Sequence, residues 1–223
     1  MALDTYAALK ASALAWVERT GDPAAETIVD DCVTLAEARL NKHPTLRLSH
    51  METQATLTGT NGSAELPADF LAMKRVVSNY AEGEPGGGFD SGFDEGFDIA
   101  MGVPSSYRGL LTYAEPGWWY GQAYPSSFYT IIGTTLRARV SGTVGIVYYA
   151  KVPPLATNDP NWLLTEAPDV YLFGTILELL NALEGDATGK YAGLFSSAVD
   201  SLIASETFSR GGVLTMRAHM PAP

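Results

Sequence analysis

The run from Tyr148 to Gly174 constrains the fold of this chain more than any other segment. Tyr148-Tyr149-Ala150-Lys151-Val152 has the β-branched and aromatic density of a strand. Pro153-Pro154 then takes the chain out of any sheet, because proline brings no N–H to a ladder. The chain continues through Leu155 and Asn161-Trp162-Leu163-Leu164 to a helix start, with Thr165 placed as its cap. Pro168 is tolerated in the first turn there, and Glu166 and Asp169 complement the helix dipole. Strand, stiff crossover and buried helix thus share one short window. It contains no catalytic constellation, which points toward a structural or assembly role.

The rest of the chain sorts by periodicity. Tyr6, Leu9, Ala13, Trp16 and Val17 repeat at helical spacing, giving a first helix over about Asp4 to Arg19, ended by Gly21. A second starts with Asp22 as N-cap and Pro23 at the first helical position, where a missing N–H costs nothing. Its stripe is Ile28, Val29, Cys32, Val33, Ala36 and Leu40, and Pro44 stops it. Strands are expected at Thr53–Thr58, Met73–Val77, Phe128–Ile132, Thr134–Val140 and Thr143–Lys151. Asn61-Gly62 is a turn signal, since both positions tolerate positive φ. Leu66-Pro67-Ala68-Asp69-Phe70-Leu71 reads as a short helical turn entering a strand.

Beyond the window, Leu172, Phe173, Ile176, Leu177, Leu179, Leu180 and Leu183 make the third helix apolar on several sides, as for a central helix. Gly185 ends it. A fourth helix over about Thr188 to Thr207 shows Tyr191, Leu194, Phe195, Ala198, Val199, Leu202 and Ile203 on one face. The expected class is α+β: a helical bundle of N- and C-terminal helices with an inserted antiparallel β domain. Its parts are residues 1–50, the N-terminal helix pair; 51–155, the β-rich insertion; 156–207, the C-terminal helices; and 208–223, an extended tail.

Composition narrows the chemistry. The net charge of −11 with a pI near 4.6 argues against binding nucleic acid through its phosphates. It suits either simple solubility or a wall past which DNA slides without sticking. The one cysteine, Cys32, rules out an internal disulfide and lies on an apolar stripe, where a buried structural thiol is expected. Asp4, Lys10 and Glu18 interrupt any signal-peptide core, and Glu178 breaks the longest apolar run, so no membrane span is expected. His43, His50 and His219 lack metal-ligand spacing. No phosphate-binding, dinucleotide or serine-nucleophile motif is present.

Two loops stand out. Gly88-Phe89-Asp90, Gly92-Phe93-Asp94 and Gly96-Phe97-Asp98 recur at a period of four. Asp90, Asp94, Glu95 and Asp98 offer oxygens to Ca²⁺, but the spacing matches no EF-hand, and a solvated loop or one that orders against a neighbour is the simpler reading. Trp118-Trp119-Tyr120 lie in a second, aromatic loop over residues 115–125. They suit an interface anchor or a sugar platform, and on a strand adjacent rings would face opposite sides. A carboxylate pair for glycoside hydrolysis has no visible frame.

Four pieces together resemble the head-to-tail adaptor (connector) proteins of tailed bacteriophages and gene-transfer-agent particles. They are the helix pair Tyr6–Leu40, Leu66–Leu71, Pro125 with Tyr129-Thr130-Ile131-Ile132-Gly133 and Leu136, and Tyr148–Leu155 running to Tyr171. The resemblance implies a structural virion protein of the neck, with no enzymatic activity and no cofactor or metal, assembled in the bacterial host cytoplasm. It implies a ring, usually dodecameric, beneath the portal vertex. Neighbouring subunits, the portal protein and a tail or second connector protein would be its partners, and double-stranded DNA would pass through without specific binding. The family's C-terminal segment commonly reaches the portal, which by position makes Arg210, Val213, Leu214, Met216 and Arg217 the candidate contacts. Phe89, Phe93, Phe97, Trp118, Trp119 and Tyr120 are the candidate subunit or tail interface. Alternatives are a tail-completion or neck protein of the same region, or a carbohydrate-binding β domain on a helical stalk. The chain departs from the family at both loops and at Val140-Ser141-Gly142, where a proline is usual.

Overall fold

The computed structural model describes residues 3–59, 62–79, 109–119, 128–138, 142–183 and 188–211. The chain divides into two compact units, residues 1–51 with 151–223, and residues 52–150. It leaves the first unit at Met51-Glu52 and returns at Ala150-Lys151.

The first unit is helical. α1 spans Tyr6–Trp16, and the Thr5 side chain caps it by accepting from the Ala8 N–H. It ends earlier than the Gly21 signal suggested, because Glu18 already takes a left-handed φ of 56°. α2 spans Pro23–Lys42, with Asp22 accepting from Ala24 N and Pro23 at the first helical position, as the sequence indicated. Then Leu46, Leu48 and Met51 are buried around a single 3₁₀ turn, Ser49–Met51. His50 therefore sits in this turn.

The return to the helical unit differs from the sequence reading. Thr165 does not cap the long helix. Asn161 caps a short helix, α4 (Trp162–Glu166; α3, Pro116–Trp119, belongs to the other unit), by accepting from Leu164 N, and Thr165 lies inside it with its hydroxyl donating to Asn161 O at 3.1 Å. After Ala167, α5 spans Pro168–Leu183, and α6 spans Thr188–Gly211. Gly185 lies outside the described residues. α5 touches α1, α2, α4 and α6 and buries Val170, Tyr171, Leu172, Ile176, Leu177, Leu179 and Leu180. A helix apolar on several sides has to be surrounded in this way. Glu178, its one charge after Asp169, bonds Arg39 Nε of α2 at 2.7 Å.

The second unit holds two sheets. β1 (Glu52–Gly59) and β3 (Phe70–Asn79) flank β7 (Gly142–Ala150), both antiparallel to it. The other sheet orders β2 (Ser63–Glu65), β6 (Thr135–Ala138), β5 (Phe128–Ile132) and β4 (Thr112–Tyr113). β4 runs parallel to β5, so the β region is mixed, not purely antiparallel. Gly133, at φ 62°, closes the β5–β6 hairpin, in which Ile132 pairs with Thr135. Gly62, at φ 73°, turns the chain as the Asn-Gly signal required, but the strands on either side enter different sheets. Residues 67–70 form a single turn closed by Phe70 N donating to Pro67 O at 2.9 Å, not a helix. The expected aromatic loop contains a single helical turn, α3 (Pro116–Trp119).

One apolar core serves both sheets. Val144, Ile146 and Tyr148 enter it from alternate positions of β7, joined by Leu57, Val76, Tyr129, Leu136 and Ala138. The helical unit packs more tightly at one glycine. A Cβ at Gly174 of α5 would lie 3.0 Å from the Phe195 ring and 3.2 Å from the Ala36 Cβ, so α2, α5 and α6 meet there because no side chain intervenes. Gly193 of α6 has nothing within 4 Å of such a Cβ. Gly193→Ala should therefore raise stability by roughly 0.5–1 kcal/mol through helix propensity. Gly174→Val should lower it by about 2 kcal/mol through overpacking. Urea unfolding at unchanged m-value checks both, and midpoints that move the same way would refute this account of the packing.

Candidate functional site

The segment 151–161, which follows the last strand, is fixed by side chains from several helices. Pro153 and Pro154 have no N–H, so Val152 and Leu155 carry the donors on either side of them. Val152 N donates to Asn41 Oδ1 at 2.9 Å, and Leu155 N donates to Glu37 Oε1 at 2.8 Å, both acceptors coming from α2. Glu37 Oε1 also accepts from the Tyr171 hydroxyl of α5 at 3.2 Å. Asn161 Nδ2 donates to Pro153 O and to the Tyr171 oxygen, each at 2.6 Å. Asp159 Oδ1 accepts from Tyr6 N, at the start of α1, at 2.7 Å. Val152 and Leu155 are buried beside these bonds.

The electrostatics follow from this burial. Glu37 is only 7% exposed, and desolvation pushes its carboxyl above the ordinary range, against the opposing pull of the Leu155 N–H and the Tyr171 hydroxyl. Desolvation likewise drives the Tyr171 hydroxyl upward, so it stays a neutral donor. Buried Cys32 is pushed up to about 11 by desolvation and then by Glu178, which leaves an inert thiol. A hydroxyl, a carboxylate and an amide meet here, but each is spent on the fold. Among the described residues, no cluster of three or more His, Cys, Asp or Glu side chains is placed to hold a metal ion.

A second joint lies in the β unit. The Tyr148 hydroxyl donates to Asp69 Oδ1 at 3.0 Å, and the Phe70 ring stacks on Tyr148 at 5.7 Å between centroids. Burial first, then Asp69, pushes the Tyr148 hydroxyl up to about 12. Leu66 N donates to Thr134 O at 2.9 Å. The Leu66–Leu71 segment is thereby bonded to the β5–β6 turn and to β7. On the helical unit, the His50 ring stacks on Trp162 at 5.4 Å, with Nε2 3.0 Å from Glu166 Oε1.

The model of the SU10 adaptor protein family matches residues 4–217, nearly the whole chain. The chain belongs to the SU10 adaptor protein family. No curated protein matches it. This is a family of phage head-to-tail adaptors, so the chain is a structural protein of the virion that works with portal and tail components. Adaptors of this kind are typically non-enzymatic. No helix among the adaptor's described residues is long and apolar enough to cross a membrane.

The residues singled out for contact are placed as follows. Trp118 and Trp119 are neighbours on α3, and Arg210 lies in the last turn of α6, which continues beyond the expected end at Thr207. Phe89, Phe93, Phe97, Tyr120, Val213, Leu214, Met216 and Arg217 lie outside the described residues. Sequence reasoning missed Glu37, Asn41 and Asn161. The available signal was a carboxylate at position 37 between the buried apolar positions 33, 36 and 40 of α2. It also missed the exposed apolar side chains Leu35, Leu110 and Tyr113, which are 54%, 64% and 51% exposed.

Two tests follow from the clamp around the crossover. Asn161→Ala removes a helix cap and two hydrogen bonds, and should lower the stability of the adaptor by about 3 kcal/mol by urea titration. A loss within about 0.5 kcal/mol would show that the crossover holds without it. Glu37 gives a pH signature. A carboxyl with a raised folded pKa contributes stability that is complete below its unfolded value, about 4.3, and is lost as pH rises through the folded value. Glu37→Gln keeps an acceptor for both donors and removes the charge. Its stability should match the parent's in acid and exceed it progressively toward neutral pH, whereas a gap independent of pH contradicts the buried-charge account.

Proposed function

We propose that this adaptor closes into a ring, dodecameric as its family resemblance implies, beneath the portal vertex, where it joins capsid to tail and lines the DNA channel. The match to the adaptor family across residues 4–217 carries this reading. The charge supports it, since a protein at −11 repels DNA and lets it slide through a channel. The apolar exposure supports it too. Trp16, Leu35, Leu110 and Tyr113 are all more than half exposed, and such side chains anchor interfaces. A contact between two different surfaces of one subunit generates a ring when the rotation closes.

In this reading residues 1–51 and 151–223 act as the helical bundle, and residues 52–150 are the inserted domain that meets neighbouring subunits and the tail or second connector. The division of the chain at Met51 and Lys151 favours this arrangement. Trp118 and Trp119, with the Gly-Phe-Asp segment, are the proposed contacts of that domain. Assembly takes place in the host cytoplasm, and the ring is then a part of the virion neck.

Native mass spectrometry of the purified chain with its portal ring tests the proposal. A portal complex carrying one closed ring of adaptor copies is expected. Portal that binds single copies only, or none, would refute it.

A further inference from the structure

The first helix carries apolar residues on its outer side as well as its inner one. Of the 11 residues of α1, Lys10 alone is charged, and it is paired with Asp30 at 2.7 Å. Leu9, Ala13 and Leu14 are buried on the inner side. On the outer side Ala7, Ala11 and Ala15 stand one turn apart and are exposed, and Trp16 beside them is 52% exposed. Asp4 and Glu18 are exposed at the two ends of this face. A helix that is apolar on both sides is ordinarily covered on both.

α2 presents one large apolar side chain, Leu35, 54% exposed. Asp31 lies one turn before it, Arg39 one turn after and Lys42 two turns after. Arg39 is bonded to Glu178 of α5. Among the described residues, neither Asp4 nor Lys42 has an ionic partner. The two apolar faces lie on different sides of the helical unit. Trp16 meets the Phe173 ring edge-on at 6.0 Å, whereas Arg39 reaches Glu178, and those two positions are about 140° apart around α5. A head-to-tail contact between copies needs two such unlike faces.

Their relative direction follows from the fold. Within one copy α1 and α2 run antiparallel: Leu14 and Val17 pack with Ala25 and Ile28, and the Tyr6 hydroxyl donates to Asp30. The rotation between neighbours in a dodecamer turns a helix by about 30° at most. So α1 of one copy remains close to antiparallel to α2 of the next. In that direction, Asp4 set level with Lys42 brings Ala7 level with Arg39, Ala11 with Leu35 and Ala15 with Asp31.

We propose that α1 of one copy packs antiparallel along α2 of the next, with Leu35 seated on Ala7, Ala11 and Ala15 and with Asp4 against Lys42. This rests on the ring reading, and it adds a helical contact to those of the inserted domain. The alanines leave room for the leucine, and the acidic end of α1 meets the basic end of α2. Asp31 comes beside Trp16, whose indole N–H is a donor for it.

Charge reversals in the full chain, assembled on its portal ring, test this. Asp4→Lys alone and Lys42→Asp alone each set like charges together at every contact between copies. Each should cut the share of portal carrying a closed ring, read by native mass spectrometry at low salt, at least about threefold. The chain with both reversals should recover the parent's share. Each reversal also opposes the dipole of its own helix, and the double variant keeps both losses, so recovery reports the contact and not the helices. Leu35→Glu should leave the urea midpoint of the unassembled chain close to the parent's and abolish the ring. Ala7→Cys chains mixed with Ala38→Cys chains should give a disulfide-linked dimer of the two variants under mild oxidation; Cys32 is buried and does not compete. Rings formed by the single reversals or by Leu35→Glu as by the parent would overturn the contact and leave the ring standing. A product from Ala7→Cys chains alone, in place of the mixed one, overturns it as well. Should the parent form no ring, the mixed product upholds the contact while the ring reading falls, and its absence sinks both.

Discussion

One carboxylate oxygen, Glu37 Oε1, holds together parts of the helical unit that are far apart in sequence. It accepts from the Leu155 backbone and from the Tyr171 hydroxyl, so α2, α5 and the crossover share a single acceptor. The two prolines make this economical. They leave few N–H groups in the crossover, and the two that flank them each have a side-chain acceptor from α2. Leaving either donor buried without a partner would cost about 1–3 kcal/mol. An apolar residue at position 37 would fill the space but abandon both donors. The core position therefore needs an acceptor, which Glu37 supplies despite its desolvation.

The β unit is joined in a comparable way by Tyr148. Its ring lies in the shared core and stacks on Phe70, while its hydroxyl reaches Asp69. A buried tyrosine needs a partner for its polar end, and the turn before β3 supplies it. β7 is central in its sheet and carries three core residues at alternate positions. It ends one residue before the chain re-enters the helical unit. The window from Tyr148 to Gly174 thus contains the anchoring tyrosine of one unit and the clamped return of the other.

What could be read from the sequence follows from the range of each signal. The Asp22-Pro23 helix start and the Phe128–Ile132 strand were legible because caps and alternation act over a few residues. Thr165 was misread because Asn161 lies four residues earlier and offers both a cap and a buried amide; choosing between them requires knowing that Tyr171 and Pro153 are beside it. Gly62 takes the positive φ that the Asn-Gly signal required, Asn61 lying outside the described residues, but which sheet each flanking strand joins is decided by the Leu57, Ala64 and Leu136 packing. The parallel β4–β5 pair involves two residues, too few for any periodic signal. The clamp left one local trace, a glutamate on an apolar stripe, whose meaning depends on a segment 118 residues away.

An adaptor has to combine a subunit that holds its shape with surfaces that remain unfilled until a partner arrives. The described residues divide along that line. The buried polar groups Glu37, Asn161 and Tyr171 are consumed by internal bonds, which fix geometry because an orphaned polar group is costly. Leu35, Leu110 and Tyr113, by contrast, remain more than half exposed, and burial against a partner would gain about 1–2 kcal/mol each. Among the described residues the two edge strands of one sheet also differ, β3 having register shifts and a Leu111–Val76 bond on its outer side, and β1 pairing with β7 without a shift.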